Sequence, residues 1–134
     1  MARPGATRRG GASAFTVARV YDADAPAGAR ILVDRLWPRG VTKEDARLDE
    51  WLKDAAPSTE LRRWYRHDPT RFDEFSQRYR EELAQPPAAD AVRHLTDLSQ
   101  AGPVTLLTAT RDVDHSGARV LHDQLLAAHR RLRK

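Results

Sequence analysis

Two short runs in this chain, Ile31-Leu32-Val33 and Val104 to Leu107, lack the regular apolar–polar alternation of a strand with one wet face. A strand buried on both faces has no such alternation, because each neighbour in sequence faces a different apolar layer. Both runs therefore predict central strands, at about 30–34 and 103–108. Phe15, Val17 and Val20 predict a further strand at about 15–20. Asp22, Asp24, Pro26 and Gly28 mark a loop between the first two. The nine residues 21–29 suit a long hairpin better than a helical crossover.

Helices follow from caps and period. Thr42, with Asp45 three positions on, caps a short helix. Leu48 to Ala56 fits strand or helix, and Pro57 ends it. Ser58 caps a helix carrying Leu61, Trp64 and Tyr65. Asp68-Pro69 restarts a helix running to about Leu83, with Phe72, Phe75, Tyr79 and Leu83 on one face. Pro86-Pro87 stops it. Helices at about 88–101 and 116–129 bracket the strand at 103–108, with Gly102 as the C-cap of the first. The pattern predicts an α/β fold: one compact domain over 15–129, with a small, mainly parallel sheet and helices on both faces.

Length and composition set outer bounds. A chain of 134 residues supports one modest core. It has no Cys, which excludes disulfides, thiolate nucleophiles and Cys-ligated zinc. No run is apolar enough for a transmembrane helix, and the basic N-terminus has no apolar leader, so a cytoplasmic protein without a membrane partner is expected. The formal charge of +4 is unevenly spread. Residues 1–14 and 130–134 hold seven of the 23 basic residues and none of the 19 acidic ones, leaving 15–129 at −3. Both ends read as basic tails, the first one disordered. They could touch nucleic acid through its phosphates. The acidic body gives no broad basic face.

In parallel sheets ligands bind beyond the carboxyl ends of the strands. Asp34-Arg35-Leu36-Trp37-Pro38-Arg39-Gly40 follows the strand at 30–34, and Thr108 to Ser116 follows the strand at 103–108. The resemblance becomes specific there. LVDRLWPRGVTKEDARLDEWLKDAAPSTELRRWYRHDP (32–69), FDEFSQRYREEL (72–83) and GPVTLLTATRDVDHSGARVL (102–121) resemble the YeaO-like branch of the domain-of-unknown-function 488 family. The likeness covers about 15–127 and leaves both tails outside. Thr110 stands where that family usually has Ala before Arg111. The resemblance implies a compact bacterial α/β domain and carries no activity with it.

Arg35, Arg39 and Arg111 suit an anion pocket, because a guanidinium donates two parallel hydrogen bonds to phosphate or carboxylate. The amino end of the helix at 116–129 would add amide donors. Arg35 could instead pair with Asp34 or Asp112 and pin the loops. Thr110 and Asp112 join the ligand-binding set, and Trp37 could stack on a ligand ring. Trp51 and Trp64 read as packing residues. Asp34 and His115 are the candidates for acid/base chemistry. Asp34 could equally cap a loop or pair with an Arg, which would lower its pKa. His67-Asp68 and Asp112-x-Asp114-His115 contain metal-ligand types but no H-x-x-x-H or H-E-x-x-H spacing, so no metal is assigned. His94, His122 and His129 read as solvated or packed. Ser58, Thr59, Thr108 and Thr110 offer hydroxyls without a G-x-S-x-G setting. With no Walker A or G-x-G-x-x-G, no cofactor is named. The expected function is binding of a phosphate- or carboxylate-bearing small molecule, with acid/base catalysis as an extension. The alternatives are a nucleic-acid-associated protein using its tails and a non-catalytic protein-interaction module.

Overall fold

A computed structural model describes residues 14–22 and 28–132. The proposed N-terminal tail therefore lies almost wholly outside the described residues, as do Arg133 and Lys134. Strands β1 (Phe15–Arg19), β2 (Ala29–Leu32), β3 (Glu50–Trp51) and β4 (Val104–Thr108) form one sheet in the order β1-β4-β2-β3, all parallel. Helices α1 (Lys43–Ala46), α2 (Thr59–Tyr65), α3 (Phe72–Leu83), α4 (Ala88–Ala101) and α5 (Gly117–Leu132) complete it, with 3-10 turns at Lys53–Ala55, Pro69–Arg71 and Val113–His115.

The hairpin expected over 21–29 does not form. β1 and β2 are not partners, because β4 lies between them: Phe15 and Ala29 both register against Val104. The physical reason is the apolar content of β4, whose five residues are all buried. Such a strand is stable only with partners on both edges and cover on both faces. β2 begins under a steric constraint. Gly28 has φ +122, and a Cβ there would lie 2.5 Å from the Pro103 carbonyl oxygen, which also accepts the Ala29 N–H at 3.1 Å.

The missing alternation now has its explanation. Ile31, Val33, Val104 and Leu106 join Phe15 in a large core with the apolar faces of α2 to α5. Leu32 and Leu107 point the other way, into a smaller cluster with Val20 and Ala46. That second face is covered by α1, Trp37, Val41, Leu48 and Trp51. The ambiguous 48–56 stretch resolves as the two-residue strand β3 followed by a 3-10 turn.

The capping signals hold. Thr42 Oγ1 accepts the Asp45 N–H at 3.1 Å, and Ser58 Oγ accepts the Leu61 N–H at 3.1 Å. Asp68 caps the Pro69 turn through the Thr70 N–H. Ser58 is held from outside as well, since its N–H and O–H both donate to the Glu82 carboxylate, at 2.8 and 2.6 Å. This bidentate contact ties the start of α2 to the end of α3.

Leu106 is fully buried between β1, β2 and the helical layer, whereas Leu132 is exposed on the last turn of α5. Leu106→Ala is expected to lower unfolding free energy by about 2–5 kcal/mol. Leu132→Ala is expected to change it by no more than about 0.5 kcal/mol. Urea denaturation followed by circular dichroism measures both.

Candidate functional site

Because every strand is parallel, the carboxyl ends of β1, β2 and β4 share one edge of the sheet. The segments leaving them, near Tyr21, at 34–39 and at 109–112, enclose a cleft of about 490 Å³. The start of α5 and the loop before α2 supply further walls, through Gly117, Ala118, Ala56 and Pro57, and α2, His67 and Phe75 complete the lining.

Asp34 ties two of these segments together. Its carboxylate accepts the Thr108 hydroxyl and the Ala109 N–H, both at 2.7 Å, and its own carbonyl accepts the Trp51 indole N–H at 2.8 Å. The Thr108 hydroxyl also accepts the Thr110 N–H at 3.1 Å, so the turn after β4 is built on this contact. Among the described residues no arginine pairs with Asp34. Burial pushes its carboxyl above the ordinary 3.8, against the opposing effects of the two hydrogen bonds and the His67 charge. The Arg pairing that would lower it is one of the two structural alternatives for this residue, and the loop contacts are the other. Asp34 takes the loop-capping role.

Arg35 also differs from expectation. Its guanidinium bonds neither Asp34 nor Asp112 but reaches the loop before α2, donating from Nε to the Pro57 carbonyl at 3.0 Å and from a terminal nitrogen to the Ala56 carbonyl at 3.4 Å. The buried Tyr79 hydroxyl donates to the adjacent Ala55 carbonyl. Three successive carbonyls of this wall are thus held by side chains. Trp37 is fixed through its indole N–H, which donates to the Val41 carbonyl at 2.6 Å, and stands edge-to-face on Trp51 with centroids 5.3 Å apart. Trp51 therefore packs, as expected, and so does Trp64, against the large core and under the guanidiniums of Arg71 and Arg78.

Arg39, Thr110, Arg111 and Asp112 all line the cleft. His115 does not. Its Nδ1 lies 2.8 Å from the Asp112 carboxylate, and its ring stands edge-on to Phe72 at 5.2 Å. The Tyr65 hydroxyl donates to the His115 carbonyl and stays protonated, because burial, Asp112 and Asp68 push it up to about 12. The histidine in the cleft wall is His67. It and Arg66 sit in consecutive left-handed conformations, φ 55 and 53, which turn the chain sharply between α2 and Asp68. His94 meets Glu50 at 2.8 Å, His122 bonds Asp123 and the Phe15 carbonyl, and His129 meets Ser99. Among the described residues no three His, Asp or Glu side chains group closely enough to hold a metal.

Arg62 is the functional candidate that sequence reasoning missed. It lies in the first half of α2 and lines the cleft. Its Nε is shut off from solvent and has no hydrogen-bond partner among the described residues. The available signal was position: Arg62 stands four residues after the Ser58 cap and three before buried Tyr65, on one helical stripe, while Arg63 and Arg66 are exposed.

The Asp34 shift has a sign. The folded chain holds this proton more tightly than the unfolded chain, so the contribution of Asp34 to stability is fullest below about 3.8 and is lost as pH rises through the higher folded value. Asp34→Asn keeps both hydrogen bonds available, with its carbonyl facing Ala109 and its amide facing Thr108, and removes the buried charge. The variant's stability relative to the parent is expected to rise between about pH 3 and pH 7, read from urea midpoints across that range.

Comparison with known proteins places this architecture. The family model described as the inactive DUF488-N3 subclade matches residues 14–133. The chain is 55% identical over 106 residues to the uncharacterized protein Rv3073c of Mycobacterium tuberculosis, covering 78% of this chain and 87% of that one. It is 44% identical over 108 residues to the uncharacterized protein YeaO of Escherichia coli, covering 80% and 92%. No solved structure matches. The chain belongs to the DUF488 family, among its YeaO-like members and within the inactive DUF488-N3 subclade.

Proposed function

We propose that the cleft binds a small molecule carrying a phosphate or carboxylate and holds it without turnover. The observation that carries this reading is the state of three guanidiniums. Arg39, Arg62 and Arg111 line one cleft, and none has a carboxylate or carbonyl partner among the described residues. Arginines that merely pin loops are engaged internally, as Arg35 is. The two cleft carboxylates are committed elsewhere, Asp34 to Thr108 and Ala109, Asp112 to His115.

The first turn of α5, at Gly117 and Ala118, faces the same cleft and favours negative charge there. Arg35 acts as a positioning residue for the Ala56-Pro57 wall. Both Asp34 oxygens and His115 Nδ1 are occupied, which favours binding over proton transfer. The description of the subclade as inactive supports the same choice.

Isothermal titration against inorganic phosphate, sugar phosphates, nucleotides and acidic metabolites tests the reading. Arg62→Ala and Arg111→Ala are each expected to weaken binding about 10- to 100-fold, the range for a lost charge-assisted hydrogen bond. Unchanged affinity in both variants, or no binding of any anion, overturns it.

A further inference from the structure

The lining of the cleft combines guanidiniums with apolar side chains. Its volume of about 490 Å³ lies within the range for drug-sized ligands, far beyond a lone phosphate. Among the described residues only three large apolar side chains are strongly exposed: Tyr21 at 45%, Leu36 at 60% and Leu132 at 58%. Two of the three, Tyr21 and Leu36, line this one cleft. Exposed apolar groups that converge on a concavity mark a binding surface.

Both stand on segments that are held in place. The Tyr21 hydroxyl donates to the Arg39 carbonyl at 3.2 Å, and the Arg19 guanidinium lies 4.8 Å from its ring. Leu36 sits between Arg35 and Trp37, each anchored by its own hydrogen bonds. Deeper in, Val33, Phe75, Ala56 and Ala118 add apolar wall. Inorganic phosphate or a bare sugar phosphate would satisfy the arginines and leave these surfaces wet.

We infer that the ligand of this cleft is an amphiphilic anion, with a phosphate or carboxylate set among Arg39, Arg62 and Arg111 and a ring-bearing apolar body between Leu36 and Tyr21. The inference rests on the anion-binding reading and narrows it to a ligand class. A nucleoside monophosphate and an aromatic acid both carry this chemistry.

Paired titrations of the full chain test it: phenyl phosphate against inorganic phosphate, adenosine monophosphate against ribose 5-phosphate, and phenylacetate against acetate. In at least one pair the ring-bearing member is expected to bind about tenfold tighter or better, the gain from burying one ring. The pair that shows it separates the nucleotide source from the aromatic-acid source. The double variant Leu36→Ser, Tyr21→Ser, both exposed positions, is expected to bring that ratio close to one. Equal affinities within all three pairs overturn the inference while leaving the anion reading standing. A double variant that keeps the full preference also overturns it. Absence of all anion binding removes both.

Discussion

Asp34 accepts two hydrogen bonds from the end of β4, and the geometry of the cleft depends on that contact. The sheet's ladder ends at Leu32 on one strand and Thr108 on the other. One more backbone bond follows, from the Val33 N–H to the Leu107 carbonyl at 3.0 Å. Past it the Asp34 carboxylate joins the two exits, through Thr108 and Ala109, while its carbonyl engages Trp51 of the edge strand. Three strand ends are thus joined at one residue. The contact carries a desolvation cost, seen in the direction of the Asp34 shift. A buried carboxyl with both oxygens satisfied is the arrangement that limits such a cost.

Electrostatically, the site differs from the whole chain. The body is slightly acidic, and all of the basic excess sits at the ends. Yet the cleft is lined by four arginines against two aspartates, each of which has another partner. Net charge therefore says little about this surface. What matters is which guanidiniums are internally engaged, and only a folded arrangement separates Arg35 from Arg39, Arg62 and Arg111.

Much of the fold was legible because its signals are local. Thr42, Ser58 and Asp68 cap where their side chains predicted, and the unalternating runs at 31–33 and 104–107 became the two central strands. The strand-end rule located the cleft from the parallel sheet alone. What escaped was non-local. The position of β4 between β1 and β2 is set by pairing across some ninety residues, and the hairpin reading of 21–29 had only loop length to go on. Partner choice escaped for the same reason: Arg35 reaches carbonyls 21 and 22 residues away, and His67 enters the cleft wall through two left-handed residues that no turn motif announced.

The two faces of the sheet are covered very differently. Four helices lie over one, and one turn of α1 with the Trp37–Trp51 pair lies over the other. Regions with few buried apolar contacts open at lower free energy than the global fold. The segment from Asp34 to Trp51 rests on the smaller of the two clusters, so the amide protons of the edge strand β3 are expected to lose their protection before those of the central strand β4.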